Sequence, residues 1–189
     1  MSSTNRGAER RTDDAYMTPA WCVRALLKVW QPRAGNMVEP AVGAGSIVRA
    51  IGIGGGWALY DVRPCERVDD VPVICLDFLD LTMADPFVQT CITNPPYCLA
   101  EEFIRHSRKL YPQAELVFLL RIAFLASAAR LPLWRDLGTP DVFVLPNRPS
   151  FTGGGTDSAD YAWFRWPVEK RDHGDIRVLA ETPKAERCK

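Results

Sequence analysis

Met37-Val38-Glu39-Pro40-Ala41-Val42-Gly43-Ala44-Gly45-Ser46 is the stretch from which the fold is read. A short apolar run ends at Glu39, two glycines one residue apart follow, and Ser46 opens an apolar-periodic segment through Ile47, Val48 and Ala50. The reading is strand, glycine turn, helix. Gly43 and Gly45 allow a tight turn in which a ligand can approach the backbone. In an open α/β sheet this unit is the seat of nucleotide-type ligands. Val48 stands where the dinucleotide fingerprint needs a third glycine, and the Gly-Lys-Ser/Thr of a P-loop is missing. Glu39, placed just before the turn, narrows the choice to a ligand with a positive charge or hydroxyls.

Working outward, further strands end in polar residues. Trp57–Tyr60 ends at Asp61, within about twenty positions of the glycine turn, where an acid can hold ribose hydroxyls. An ordinary surface-turn aspartate reads the same way. Val71–Leu76 ends at Asp77-Phe78, a carboxylate that can accept from an adenine amino group beside a ring that can stack on the base. A fourth strand lies around Cys91–Thr93, a fifth at Glu115–Leu120 with Arg121 at its end, a sixth at Asp141–Leu145 and a last, aromatic one at Tyr161–Trp166. The last two have no room for a helix between them and predict an antiparallel hairpin. Thr18 as N-cap and Pro19 as first helical residue predict a helix to Trp30. Residues 100–110 form another, and Phe124–Leu137 a third, broken or kinked at Pro132.

Cys91-Ile92-Thr93-Asn94-Pro95-Pro96-Tyr97 carries the chemistry. Two prolines fix φ at both positions and remove two backbone donors, and Pro95 pushes Asn94 out of the helical region. The loop is therefore stiff and rich in acceptors: the Asn94 side-chain oxygen and the Asn94 and Pro95 carbonyls, beside the flat face of Tyr97. An amino group on a planar ring is a poor nucleophile, because its lone pair is delocalised. Two acceptors on its hydrogens draw the nitrogen towards tetrahedral geometry and spread the charge that develops during attack, while an aromatic face fixes the plane of the base. The plainer alternative is a proline-rich loop with Tyr97 simply packed.

At 189 residues one main domain is expected, with a flexible N-terminal arm at 1–13, the catalytic domain at 14–170 and a charged tail at 171–189. Six cysteines form no Cys-x-x-Cys pair, and with two histidines the spacing of a metal site is absent. No apolar run reaches membrane-spanning length, and the polar N-terminus lacks a secretory segment. A cytoplasmic protein is expected. Net charge is zero, which neither favours nor excludes a nucleic-acid partner.

The order Thr-Pro helix, Glu-Pro-x-x-Gly-x-Gly, acidic strand end, Asp-Phe, Asn-Pro-Pro-Tyr resembles the S-adenosylmethionine-dependent adenine-N6 DNA methyltransferases, especially small phage and prophage forms. The resemblance covers roughly residues 14–166. It implies a Rossmann-like class I α/β fold: a mostly parallel seven-stranded sheet with a C-terminal antiparallel hairpin. It also implies S-adenosylmethionine as cofactor, DNA with a flipped-out target adenine as partner, and no metal. By the same resemblance, Tyr16, Thr18 and Pro19 match the segment at the methionine end of the cofactor, and Glu39, Pro40, Gly43 and Gly45 the loop under it. Asp61 matches the ribose acid, and Asp77 and Phe78 the adenine pair. Asn94, Pro95, Pro96 and Tyr97 match the catalytic loop, and Phe151 a second aromatic on the base.

The chain has no room for the long target-recognition domain of restriction-linked relatives. Residues 121–140, the 147–160 loop or the N-terminal arm must then read sequence, with Arg121, Arg148 and Arg165 as candidate nucleic-acid contacts. A homodimer or relaxed specificity would serve the same end. The same catalytic loop suits an RNA adenine-N6 methyltransferase or a protein glutamine-N5 methyltransferase, although the latter usually carry a helical N-terminal domain. A non-catalytic module on the same fold is the remaining alternative.

Overall fold

The computed structural model describes residues 17–64, 66–151 and 157–187. Its strands, in chain order, are β1 (Asn36–Glu39), β2 (Trp57–Asp61), β3 (Arg67–Val68), β4 (Val71–Cys75), β5 (Val88–Thr93), β6 (Glu115–Arg121), β7 (Asp141–Val144), β8 (Tyr161–Trp166) and β9 (Ile176–Val178). They form one sheet in the order β3-β4-β2-β1-β5-β6-β8-β7-β9. β4, β2, β1, β5 and β6 run parallel, and β8 runs antiparallel between β6 and β7.

β6 explains why both faces are covered. Leu116, Phe118 and Leu120 point into one core, with Phe103 and Ile104 of α3 (Ala100–Leu110). Val117 and Leu119 point into the other, with Trp21 and Leu26 of α1 (Ala20–Leu27) and Ile47 of α2 (Ser46–Ile51). Side chains alternate across a strand. A strand buried on both faces must therefore be apolar throughout, as Leu116–Leu120 is.

The sheet has nine strands among the described residues, not seven. β3 is a two-residue antiparallel addition beside β4, too short to leave a periodic signal. β9 comes from the tail and pairs parallel with β7 through Val142↔Ile176 and Val144↔Val178. The expected β7–β8 antiparallel pairing is present, but it is not the end of the chain's structure, because β9 covers the outer edge of β7. Pro19 is extended at ψ 129°, so α1 begins one residue later than expected, with no side-chain cap. Region 122–137 is two 3-10 turns followed by α4 (Leu131–Leu137). Pro132 sits in its first turn, where a missing N–H costs nothing.

The amino end of the sheet holds a buried charge network. The Glu115 carboxylate accepts from Arg165 Nε at 2.8 Å, Trp30 Nε1 at 3.4 Å and the Arg33 backbone N–H at 3.3 Å. Asp141 Oδ2 accepts from Arg165 Nη1 at 3.0 Å and Arg171 Nη2 at 2.6 Å. Arg165, expected as a nucleic-acid contact, is thus committed to two buried acids. It also lies by the start of β6 and β7, opposite Val117 and Asp141. Removing one partner of a buried ion pair leaves an uncompensated charge. Arg165→Ala should lower unfolding stability by about 3 kcal/mol, measured by urea denaturation, with the remaining donors to Glu115 and Asp141 limiting the loss.

Candidate active site

β1 is flanked by β2 on one side and β5 on the other, both parallel to it. The chain turns one way out of β1 towards β2 and reaches β5 on the opposite side. This is the switch point beyond whose carboxyl ends ligands bind in open α/β sheets. Val38 pairs with Cys91, so Glu39 at the end of β1 lies beside the last residues of β5, and Asn94 follows immediately.

Glu39 is 2% exposed, and its Oε2 is buried with no hydrogen-bond partner among the described residues. Burial first, then the charge of Asp61, pushes its carboxyl well above the usual range, against a backbone bond from Val48. Gly43 and Gly45 after it have φ of +53° and +76°. A Cβ on Gly45 would lie 2.3 Å from Val68 Cγ1, so the turn is locked against β3. A Cβ on Gly43 would meet, among the described residues, only Arg63 Nη2, at 3.6 Å.

Asp61 closes β2 and is 5% exposed. Its Oδ2 accepts from the Gly43 N–H at 2.8 Å and Arg63 Nη2 at 3.2 Å. Its Oδ1 accepts from the Arg63 N–H at 2.9 Å and Arg63 Nε at 3.1 Å. Burial raises its carboxyl, but the Arg63 and Gly43 bonds and the Arg63 charge outweigh burial and hold it below the usual range. Every lone-pair direction of the carboxylate is engaged. Sequence reading singled out neither Arg63 nor Val62, which is 67% exposed at this edge. The available signal was an apolar, β-branched residue and an arginine directly after a strand-ending acid.

Asp77 is exposed and caps a 3-10 turn, Oδ1 accepting from the Leu79 N–H at 3.0 Å. Phe78 departs from expectation. It is 1% exposed and packs against Phe103 at 5.4 Å, His106 at 5.1 Å and Tyr60 at 6.1 Å. The apolar core under α3 claims the ring, so it offers no open face to a base. Thr18 is buried at the start of α1, and Tyr16 lies outside the described residues.

Asn94 is 9% exposed, Pro95 is buried and Tyr97 is half-buried at the head of the 3-10 turn into α3. Thr93, fully buried just before Asn94, has a hydroxyl with no partner among the described residues. The Tyr97 ring packs on Tyr161 at 5.5 Å and edge-on to Phe151 at 6.4 Å, while the Arg121 guanidinium lies over it at 5.1 Å. Arg121 Nε also donates to the Tyr161 hydroxyl at 3.2 Å, which donates to Asp157 Oδ2 at 2.8 Å. Phe151 is 7% exposed and also meets Tyr161 edge-on at 5.0 Å. It therefore buttresses Tyr97 instead of facing it across an open slot. Arg148 is exposed and paired with Asp160 at 2.7 Å. Among the described residues no group of His, Cys, Asp and Glu could hold a metal, and no helix is long and apolar enough to cross a membrane.

No protein-family model and no curated protein matches the chain. Solved structures do. A Listeria monocytogenes protein described as a class I S-adenosylmethionine-dependent methyltransferase matches at TM-score 0.65 and 13% identity, over 95% of this chain and 71% of that one. A protein described as the modification subunit of a type I restriction enzyme from Vibrio vulnificus matches at TM-score 0.61 and 13% identity, over 93% of this chain and 49% of that one. The 23S rRNA methyltransferase ErmE matches at TM-score 0.58 and 13% identity, over 84% of this chain and 70% of that one. The chain thus spans about half the length of the restriction–modification subunit it resembles. At these identities the likeness is one of architecture: the chain has the fold of the class I S-adenosylmethionine-dependent methyltransferases.

Proposed function

We propose that the chain transfers a methyl group from S-adenosylmethionine to the N6 amino group of an adenine flipped out of DNA. The observation that carries this reading is the parallel pairing of β1 with β5. It sets Glu39, whose Oε2 has no partner among the described residues, and the Asn94-Pro95-Pro96-Tyr97 loop at the carboxyl ends of adjacent strands.

The residues present fit the cofactor. Glu39 Oε2 would accept from its ammonium group, and the backbone at Gly43 would lie against its chain, with Pro40 and Gly45 fixing the turn. Thr18 and Pro19 would border the methionine end. Asp61 would take the ribose hydroxyls, Val62 would pack on the adenine face and Asp77 would accept from the adenine amino group. Bound there, S-adenosylmethionine supplies an electrophilic methyl on a sulfonium centre. Asn94 Oδ1 and the Pro95 carbonyl accept the two N6 hydrogens of the target, holding the nitrogen's lone pair towards the ends of β1 and β5. Tyr97 stacks on the base. That base takes the ring face now covered by Arg121, whose guanidinium then turns to the phosphate.

The test is transfer of labelled methyl to duplex DNA, single-stranded DNA, RNA and protein in parallel, followed by mass analysis of nucleosides. N6-methyladenine from DNA is expected; label in RNA or protein alone would reassign the substrate. Asn94→Ala should cut transfer by at least about 100-fold while cofactor affinity by calorimetry holds.

Glu39→Gln separates stability from binding. A carboxyl whose folded pKa is raised costs nothing below its unfolded pKa and costs progressively more as pH rises towards the folded value. The glutamine variant should therefore unfold at higher temperature than the parent at pH 7, with the gap closing below about pH 4.3, and should bind the cofactor more weakly. Arg63 competes for Asp61 with the ribose hydroxyls. Arg63→Ala should tighten cofactor binding by about fivefold in the same calorimetric titration.

A further inference from the structure

Beside the catalytic loop lies a pocket of about 380 Å³, lined among others by Tyr97, Cys98, Leu120, Arg121, Phe124 and Arg130. A second, of about 300 Å³, shares Tyr97, Cys98, Phe124 and Arg130 with it and extends towards Arg105 and Glu102. The two form one groove leading away from Tyr97. Arg130 lies over Phe124, its guanidinium carbon 4.2 Å from the ring centroid, and is held there by a 3.1 Å bond from Nη1 to the Phe124 carbonyl. Arg121 lies over Tyr97 in the same pocket. The pocket wall therefore repeats one motif: a guanidinium plane backed by an aromatic ring.

A backed guanidinium offers a flat outer face for a second planar group and a positive charge at its edge. Aromatic and arginine faces in a positive groove are how single strands are held. Arg105 is committed to Glu101 at 2.9 Å and Asp136 at 2.7 Å. Glu102 is exposed at that end of the groove, which repels phosphate there. The favourable charge is thus at the Arg121–Arg130 end, next to Tyr97.

We infer that this pocket seats the nucleotide adjoining the target base on the same strand. Its base stacks on the Arg130–Phe124 pair, and its phosphate lies by Arg121 and Arg130. The inference rests on the adenine methyltransferase reading, and it would let the residues beside Tyr97 read the sequence context of the target.

The test is binding of fluorescein-labelled single-stranded oligodeoxynucleotides to the full chain by anisotropy. Each strand holds one adenine, and either neighbour, or the adenine itself, is replaced by a stable abasic nucleotide. An abasic neighbour on one side should weaken binding to the parent by about tenfold. Arg130→Ala should weaken the intact strand comparably, show no further loss when that neighbour is abasic, and lower the salt slope by about 0.7. Arg130→Lys should restore the salt slope but not the sensitivity to the neighbour, and it serves the same comparison if the alanine variant does not fold. Unaltered binding by both variants, additive losses, coupling to the target adenine instead of its neighbour, or no strand binding by the parent would each overturn the subsite. Methyl transfer is read on the same strands. Binding that couples Arg130 to the neighbour without any transfer would keep the subsite and remove the catalytic reading.

Discussion

The parallel pairing of β1 with β5 is the constraint on which the candidate site depends. The chain reaches β5 only after building β2, β3 and β4 on the other side of β1. Residues far apart in sequence, Glu39 and Asn94, therefore end on adjacent strands. The register is irregular between Asn36 and Met37 and then settles to Val38↔Cys91. Because side chains alternate along each strand, a one-residue slip would reverse the facing of Glu39 relative to β5. The burial of Val38, Cys91 and Ile92, each 0% exposed, holds that register. Ordinary packing in the two cores is thus what positions the chemistry at the strand ends.

Two buried glutamates show how the ends of the sheet differ. Glu115, 1% exposed at the amino end, is surrounded by donors from Arg165, Trp30 and Arg33. Glu39, 2% exposed at the carboxyl end, has one oxygen without a partner among the described residues and a raised pKa. Burying an ionisable group without full compensation is costly. The two ends of the sheet thus differ in how far a buried acid is compensated, and the proposed cofactor ammonium would supply the donor that the Glu39 end lacks. Local order reverses the contrast at Asp61, whose acceptors are all taken by Gly43 and Arg63. The ends of β1 and β2 therefore combine one acid short of donors among the described residues with one oversupplied.

The strand ends and the glycine turn were legible because they depend on local rules. Apolar runs stop at polar residues, and positive φ at Gly43 and Gly45 needs glycine. Asn94-Pro95-Pro96-Tyr97 was legible for the same reason, since proline dictates its own backbone. The failures share a different cause. Phe78 reads as a stacking ring until α3 brings Phe103 and His106 onto it. Arg165 reads as a surface cation until Glu115 and Asp141 close around it. β9 is too short and too exposed to leave an apolar pattern, and it exists because β7 offers it a free edge. These positions are set by partners distant in sequence, which periodicity does not report.

Tyr97 joins the stiff loop to the groove beside it. Its ring rests on Tyr161 and Phe151, and both rings belong to the core under α1. The proline pair limits the backbone from one side, and this aromatic bed limits the side chain from the other. A ring held so firmly loses little further entropy when a base stacks on it. The side chain above it is of a different kind: Arg121 is long and exposed, and its contacts include a hydrogen bond to Tyr161 and the Tyr97 ring. On the proposed reading, a base would replace the guanidinium on that surface, one planar group for another, so the ring would stay covered in both states. The firmly packed ring would then be a prepared seat for a flipped base, and the cost left would be that of unstacking it from its duplex.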